Sequence, residues 1–236
     1  MVSVIIPAYN EEQSISDCLQ SLVNQKTSLE FEVIIVNNNS TDNTVNIINK
    51  YKDKLNLKIV NQLVKGRGAA RQKGFEIASG DILLSTDADT LVPPNWIEKL
   101  SNSLKENNVV AVTQACKITD CGLVTNAVFN FLQPFFMRIY RLFFGHYWLS
   151  GFGFAIYKDI YLKSGGFNKK LNAQEDVDLS FRVSKLGKIK FIPNVSVISS
   201  GRRFNKGLFK GLIPYVKTFI SYFFFKNKEV ILQDIR

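Results

Sequence analysis

The chain is poor in the residues that build disulfide frameworks and transition-metal sites. Its 236 residues include three cysteines and a single histidine, His146. Cys18, Cys116 and Cys121 are odd in number, and their spacing matches no paired zinc-ligand pattern. The sequence therefore predicts reduced, mostly buried thiols and argues against a disulfide-stapled fold. His146 lies in an aromatic stretch and is interpreted as a packing residue.

Long apolar runs are also missing. No uninterrupted apolar run reaches the roughly 18 residues that a membrane-spanning helix needs, so no transmembrane segment is expected. The first seven residues lack a basic stretch and are typical of a strand, so no secretory signal is expected either. A hydrophobic content of 46% excludes a disordered chain. We expect a cytoplasmic globular protein with one large domain or a domain plus an appendage.

Acidic residues are outnumbered, which gives a net charge of +10. This charge favours an acidic partner such as nucleic acid, anionic lipid or a phosphorylated substrate. No nucleic-acid-binding motif is visible, and we expect no nucleic-acid partner. Residues 201–228 contain no acidic residue. The basic residues of this patch are Arg202, Arg203, Lys206, Lys210, Lys217, Lys226 and Lys228.

Strand and helix patterns alternate along the first half of the chain. Predicted strands lie at 2–6, 31–36, 57–60, 81–85 and 109–113. Pro7 is expected to end the first strand, and Ser40 to cap the second helix. Beyond residue 117 the chain offers an aromatic segment at 124–149, a helix at 175–186, short strands at 189–192 and 196–198, and a basic apolar helix at 207–225. The alternation predicts an α/β fold with a mainly parallel sheet and helices on both faces.

Two carboxylates, Asp87 and Asp89, directly follow the apolar residues of the fourth predicted strand. Open α/β sheets bind ligands at the carboxyl edge of their strands. A divalent cation with bound phosphates would relieve the repulsion between the two charges. A turn or helix cap that uses aspartate for backbone hydrogen bonds explains the pair equally well.

Five segments, in this order, resemble glycosyltransferase family 2 with its GT-A fold. They cover the opening strand and loop, the second strand and turn, a glycine-rich helix entrance, the Asp-Ala-Asp metal motif and an acidic catalytic motif. The segments are 2–12, 32–42, 66–74, 87–89 and 174–176. The resemblance spans roughly residues 1–200 and implies a Rossmann-like sheet. The basic apolar helix that follows is expected to form a C-terminal amphipathic helical appendage. The resemblance also implies an inverting enzyme that uses a nucleoside-diphosphate sugar.

The resemblance assigns donor-binding residues at the mouth of the sheet. Asn38 stands where the family usually carries an aspartate that pairs with the base, and Arg71 would neutralise the diphosphate or contact the base. Asp89, with Asp87, would bind Mn²⁺ or Mg²⁺. The donor-binding residues are Pro7, Ala8, Tyr9, Glu11, Asn38, Arg71, Asp87 and Ala88. The glycine-rich stretch lacks the third glycine of a dinucleotide fingerprint, which argues against a nicotinamide site.

Asp176, with Glu175 beside it, is the implied general base for a single in-line displacement. The same acidic run would also complement the dipole of a helix N-terminus, which is the structural alternative. On the acceptor side we place Trp148, Gly151 and Gly153, together with Arg202 and Arg203. Many family members carry a histidine near the metal, and the two arginines occupy that neighbourhood here.

The implied organisation is a donor-binding half at 1–117, an acceptor-binding half at 118–200 and a basic amphipathic segment at 201–236. A hydroxyl acceptor on a glycan, glycolipid or lipid-linked sugar is favoured, because an ionised polyprenyl phosphate would need no base. The aromatic segment and basic helix favour peripheral attachment to the anionic inner face of the cell membrane. Packing on the domain or a homodimer would also cover these faces. A polyprenyl-phosphate glycosyltransferase, a sugar-phosphate nucleotidyltransferase and a non-catalytic binding module are the alternatives.

Overall fold

A computed structural model describes residues 1–225, and its centre is one eight-stranded sheet. The strands are β1 (Val2–Ala8), β2 (Phe31–Asn37), β3 (Leu57–Asn61), β4 (Ile82–Ser85), β5 (Thr90–Leu91), β6 (Val109–Lys117), β7 (Phe154–Tyr157) and β8 (Lys188–Ser199). The helices are α1 (Ile15–Val23), α2 (Thr44–Asn49), α3 (Arg67–Ile77), α4 (Trp96–Leu104), α5 (Leu123–Phe144), α6 (Lys158–Lys163), α7 (Glu175–Val183) and α8 (Leu208–Phe225).

The strand order is β3-β2-β1-β4-β7-β6-β8-β5. The first four strands in this order are parallel to one another, and β6 is parallel to β8. β7 is antiparallel to both β4 and β6, and β5 is antiparallel to β8. The expected mainly parallel α/β sheet is thus confirmed, with an antiparallel strand inserted at its centre.

Alternate side chains of the sheet enter two separate cores, which explains the continuous apolar runs of the inner strands. Val4 and Ile6 of β1 pack in the core that α1, α2 and α4 cover. Ile5 packs in the opposite core, under α3, α6 and α7. Helices on both faces are therefore confirmed. All three cysteines are free thiols, two of them buried.

Pro7 does not end the first strand, because β1 continues to Ala8 alongside β2. Pairing of β1 with β4 stops at Ile5 and Ser85. The backbone nitrogen of Pro7 faces β4 beyond the last hydrogen bond between the two strands. The missing N–H of proline therefore removes no hydrogen bond from the sheet. The prediction that Ser40 caps α2 is also wrong. The Ser40 hydroxyl instead accepts a hydrogen bond from the Asn10 N–H, and α2 begins at Thr44.

The two short strands predicted near residues 189 and 196 are one strand, β8. Its register against β6 shifts between Gln114 and Ala115, where the β8 partners jump from Ile192 to Ser196. The three residues between them form an irregularity in the strand. They interrupt the apolar pattern, which therefore predicted two short strands instead of one. β7 was not predicted, and its first residue, Phe154, directly follows Gly153, which was placed on the acceptor side.

Helices α5 and α8 lie at the carboxyl edge of the sheet and keep many apolar side chains exposed. α5 packs on β6, and α8 contacts the short 3₁₀ helix Arg202–Phe204. Across residues 1–225, none of the helices is both long and apolar enough to cross a membrane. Lys226 and Lys228 of the predicted basic patch lie outside the described residues, as does the end of the predicted segment 201–236. The proposed division at residues 117 and 200 stays a prediction.

Candidate active site

A cavity of about 770 Å³ opens where β1, β2 and β4 end. The structure brings nearly all the predicted site residues to its wall, although they come from distant parts of the chain. Those lining it are Pro7, Ala8, Tyr9, Glu11, Asn38, Arg71, Asp87, Ala88, Asp89, Trp148, Gly151, Glu175, Asp176, Arg202 and Arg203. Gly153 does not line it. A Cβ added to Gly153 would lie 1.8 Å from Gln114 Nε2, so this glycine gives room to a buried glutamine rather than to a ligand.

The loops after β1 and β2 are bonded to each other and form one rim of the cavity. The Asn10 N–H donates to the Ser40 hydroxyl at 3.1 Å, and the Thr41 N–H donates to Asn10 Oδ1 at 2.8 Å. The Glu11 N–H donates to the Thr44 hydroxyl at 2.8 Å. Asn10 has a positive φ of 51°, which asparagine tolerates better than most residues. These bonds fix the backbone on which Tyr9 and Glu11 stand.

Asn38 holds the loop between β3 and α3. Its side-chain Nδ2 donates to the backbone oxygens of Gln62 (2.7 Å) and Val64 (2.8 Å), and Oδ1 accepts from the Gly66 N–H at 2.9 Å. An aspartate could not make the first two bonds, because it has no donor when ionised. Asparagine at this position is therefore explained by the loop, and only one lone pair of Oδ1 is left for a ligand.

Arg71 on α3 is buried and joins three parts of the site. Its guanidinium donates to Asp87 Oδ1 at 2.5 Å, to the Gly151 oxygen at 3.1 Å and, through the other terminal nitrogen, to Glu175. The cation thus links the end of β4 to the start of α7. Gly68 on the same helix lets α3 approach residues 168–171, since a Cβ there would lie 2.5 Å from the Asn168 oxygen.

Asp176 stands in the first turn of α7 and faces the same cavity. Its Oδ2 accepts from the Gly151 N–H at 2.9 Å, and Oδ1 accepts from the Val177 N–H at 2.8 Å. Burial and the neighbouring Glu175 carboxylate raise the pKa of Asp176 to about 7, and the Arg71 charge offsets part of that increase. A carboxylate with a pKa near neutrality suits proton abstraction at physiological pH.

Asp89 and Glu11 share one arginine. Arg202 Nη2 lies 2.6 Å from Asp89 Oδ2 and 2.8 Å from Glu11 Oε1, and Nη1 lies 3.1 Å from Glu11 Oε2. Arg202 therefore lies beside the predicted metal and donor residues, in the neighbourhood that the resemblance implied for the two arginines. The resemblance did not indicate the individual bonds from Arg202 to Asp89 and Glu11.

The residues present fit a divalent cation that takes part of its coordination from phosphates. Carboxylate oxygens of Asp87 and Asp89 are hard ligands, and Mg²⁺ is commonly bound by one or two carboxylates together with substrate phosphates. Within residues 1–225 no group of three or more potential side-chain ligands stands ready around one point. The two aspartates are instead neutralised by Arg71 and Arg202.

Several residues of the site were missed at the sequence level. Gln174 precedes the acidic motif with a positive φ of 61°, and its Nε2 donates to the Thr218 hydroxyl at 3.0 Å. This bond ties α8 to the catalytic turn. The other missed residues at the cavity wall include Gln133, Tyr140, Ser150, Leu212 and Phe219. Only Ser150 had a local signal, since it lies between Trp148 and Gly151.

The chain is similar in sequence to known proteins. The model of glycosyl transferase family 2 matches residues 3–165. The poly(ribitol-phosphate) beta-glucosyltransferase of Bacillus spizizenii is 39% identical over 110 residues, which cover 45% of this chain and 17% of that protein. The probable glycosyltransferase YdaM of Bacillus subtilis is 33% identical over 211 residues, covering 81% of this chain and 49% of that protein. The chain thus spans about half or less of the length of these relatives.

Solved structures match the fold at lower identity. Residues 1–349 of S. aureus TarS, in complex with UDP-GlcNAc, superpose with a TM-score of 0.68 at 23% identity, covering 84% of this chain and 58% of that chain. The mannosyltransferase PcManGT from Pyrobaculum calidifontis, in complex with GDP-Man and Mn²⁺, superposes with a TM-score of 0.67 at 20% identity. The match covers 92% of this chain and 64% of that chain. These likenesses confirm the GT-A-type fold.

Proposed function

The chain belongs to glycosyltransferase family 2, and we propose that it transfers a sugar from a nucleoside diphosphate to a hydroxyl acceptor with inversion. One observation carries this proposal: Arg71, Asp87, Asp89 and Asp176 converge on a single cavity at the carboxyl ends of the strands. Cationic and metal-binding groups therefore lie beside a base of suitable pKa. An enzyme that displaces a diphosphate needs these two kinds of group close together.

The donor is a nucleoside-diphosphate sugar. The similar structures named above hold UDP-GlcNAc and GDP-Man, which supports this class of donor without choosing a base or a sugar. Residues 7–11 and the Asn38 loop would contact the nucleoside. Arg71 and Arg202 would face the diphosphate.

Asp89 and Asp87 would hold Mn²⁺ or Mg²⁺, which supplies positive charge to the leaving diphosphate when it is bound. The structure of PcManGT with Mn²⁺ supports a divalent cation in this fold. Arg202 would then leave Asp89, and its guanidinium would be free to bind a phosphate oxygen. Arg71 is buried and held by Glu175 and the Gly151 oxygen, so we expect it to stay in place.

The transfer step follows from the placement of Asp176. The acceptor hydroxyl oxygen forms a bond to the anomeric carbon while the bond from that carbon to the diphosphate oxygen breaks. The electron pair of that bond leaves with the diphosphate, and the acceptor proton moves to the Asp176 carboxylate. Attack from the face opposite the leaving group inverts the anomeric centre.

Donor hydrolysis tests this function without a known acceptor, because water can replace the acceptor hydroxyl. UDP-Glc, UDP-GlcNAc and GDP-Man would each be incubated with the protein and Mn²⁺, and release of nucleoside diphosphate measured. We expect release from one donor, with the β-anomer of the freed sugar as the first product by proton NMR. Release of the α-anomer would contradict inversion, and no release from any donor would count against the transferase proposal.

Asp176→Asn separates hydroxyl acceptors from the alternative polyprenyl-phosphate acceptor. A hydroxyl must lose its proton during attack, whereas a phosphate oxygen is already ionised near neutral pH. Hydrolysis should be lost in either case, because the attacking water must also give up a proton. Loss of transfer to an acceptor then found supports a hydroxyl acceptor. Full transfer to a polyprenyl phosphate by Asp176→Asn would support the alternative.

We also propose that α5 and α8 rest on an anionic membrane surface. Large apolar side chains on both helices are exposed, including Phe131 (79%), Phe143 (79%) and Phe209 (83%). Exposed basic residues accompany them, and residues 201–225 contain no acidic side chain. Each basic residue near an anionic bilayer contributes about 1 kcal/mol of attraction.

Sedimentation with vesicles of phosphatidylcholine and phosphatidylglycerol tests this surface. We expect binding that grows with the anionic fraction, falls with salt and weakens in Phe209→Glu. Leu162→Glu is the matched control, because Leu162 is 63% exposed on the distant helix α6. Protein that stays in the supernatant at low salt would overturn the proposal, and a dimer in light scattering would indicate that a second copy covers this face instead.

A further inference from the structure

The cavity is lined by apolar side chains of α5 and α8 as well as by charged groups. Leu132, Phe136 and Tyr140 line it from α5. Their spacing of four residues places them on one face of that helix. The residues that line it from α8 are Leu208, Leu212, Tyr215, Val216 and Phe219.

Aromatic rings connect α5 to α8 and to the turn that precedes α8. Phe129 of α5 lies 5.0 Å from Phe204 of the 3₁₀ helix, which precedes α8. Near the other end of α5, Phe144 lies 5.9 Å from Phe219 and 5.4 Å from Phe223 of α8, between ring centroids. The two helices are therefore in contact, and the part of the cavity that their apolar residues line is called the slot.

Buried polar atoms without partners belong to residues of the cavity wall. Ser150 is 1% exposed and Gln133 is 8% exposed. Within the described part of the chain, Ser150 Oγ, Gln133 Nε2 and the Tyr140 hydroxyl make no hydrogen bond. All three residues line the cavity. Leaving such atoms unpaired costs free energy, so a ligand that forms hydrogen bonds with them would stabilise the site.

We propose that this slot binds the apolar chain of an amphiphilic acceptor, whose hydroxyl-bearing head meets Ser150, Gln133 and Tyr140. The role of the amphiphile as acceptor rests on the proposed function, whereas its binding to the slot does not. Gly151 follows Ser150 and hydrogen-bonds to Asp176, so the head lies beside the base. The head's hydroxyl would lose its proton to Asp176, while the chain extends between α5 and α8.

A single lipid chain suits the slot better than another protein would. Most of the residues that line it from α5 and α8 are apolar, and the unpaired hydroxyl of Ser150 directly precedes Gly151, which hydrogen-bonds to Asp176. The outward faces of the same two helices carry exposed aromatic and basic side chains, which suit a bilayer. A chain anchored in that bilayer would enter between the helices without leaving an apolar environment.

A series of alkyl maltosides tests the slot directly. Hexyl, octyl, decyl and dodecyl maltoside, each kept below its critical micelle concentration, would be titrated into the protein by calorimetry, with free maltose as the headgroup control. Burying one methylene should tighten binding about fourfold. We expect affinity to rise with chain length and then level off when the slot is full. Equal affinity across the series would overturn the proposal.

Two matched variants on α8 test whether the alkyl chain binds in the slot or on the outer surface of the helix. Leu212 lines the cavity, whereas Phe209 on the same helix is 83% exposed and does not. Leu212→Glu should abolish the dependence on chain length, and Phe209→Glu should keep it. The reverse result would contradict the slot. Phe136→Ala serves as a second cavity variant that keeps its fold more easily, because Phe136 is 45% exposed, and it should reduce the gain per methylene.

Failure of this proposal and failure of the proposed function can be told apart. The same preparations would be titrated with UDP and GDP in the presence of Mn²⁺. Nucleotide binding without any chain-length effect would reject the amphiphile alone. Chain-length-dependent binding without nucleotide binding would keep the slot and reject the transferase assignment.

Discussion

Donor hydrolysis should rise with pH through about pH 7, because Asp176 must be ionised to accept a proton. Burial and the Glu175 charge raise the pKa of Asp176 to about 7. The ionised fraction is then roughly 1% at about pH 5 and roughly 90% at about pH 8. The rate should therefore increase by about two orders of magnitude over this range. An aspartate with its ordinary pKa would give a nearly flat profile over the same range.

The raised pKa of Asp176 should make the protein less stable as pH rises, whereas activity increases. An acid whose pKa is raised in the folded protein binds its proton more tightly there than in the unfolded chain. The free energy of unfolding therefore falls as pH rises from the ordinary aspartate pKa towards about 7. A shift of about three pK units sets an upper bound of about 4 kcal/mol on this cost.

Asp176→Asn should reveal both effects at once. We expect hydrolysis to fall by about 10²–10⁴-fold. At about pH 8 the variant should be more stable than the wild type in urea denaturation, and the difference should shrink as pH falls and largely disappear below about pH 4. Asp178→Asn is the control, because Asp178 lies on the same helix but pairs with Arg182 and Tyr222. A flat pH profile in the wild type, or full activity in Asp176→Asn, would refute the reasoning.

Three further predictions concern groups that hold the site and the sheet. Arg71→Leu leaves Asp87 and its carboxylate neighbour on α7 without a counter-charge and should lower the free energy of unfolding by about 3–5 kcal/mol in urea. Gly74→Ala adds a Cβ 2.4 Å from an isoleucine methyl of β1 and should cost about 1–3 kcal/mol, measured by thermal unfolding. Although burial opposes ionisation, hydrogen bonds from Lys58, a serine hydroxyl and a backbone N–H lower the pKa of Glu32 to about 2. Acid titration should therefore show a stability contribution that is present above about pH 4.5 and lost towards pH 2, and that is absent in Glu32→Gln.

Local patterns predicted the parts of the fold that depend on short stretches of chain. The apolar runs of β1 and β2 and the spacing of Ile15, Cys18 and Leu22 in α1 place these elements within one or two residues. The donor residues were found through the resemblance, and all of them except Arg71 stand at or just after the end of a strand. Parallel strands bring their carboxyl ends together, so the convergence of distant loops could be anticipated.

Long-range contacts could not be predicted in the same way. The resemblance placed Arg202 near the metal, but it did not indicate that this side chain pairs with both Glu11 and Asp89. The role of Asn38 was predicted for a nucleotide base, but its amide is occupied by the backbone of the next loop, which only the folded chain reveals. β7 was missed because its pairing with β4 and β6 depends on strands that are remote in sequence.

Nucleotide binding by isothermal titration tests the central claim most directly. UDP and GDP would be titrated with and without Mn²⁺ into the wild type, Asp89→Ala and the control Asp17→Ala, whose charge is exposed on α1. The account predicts that one nucleotide binds tightly with Mn²⁺, that Asp89→Ala loses this binding and that Asp17→Ala keeps it. Folded protein that binds neither nucleotide under any condition, or Asp89→Ala that binds as well as the wild type, would contradict it.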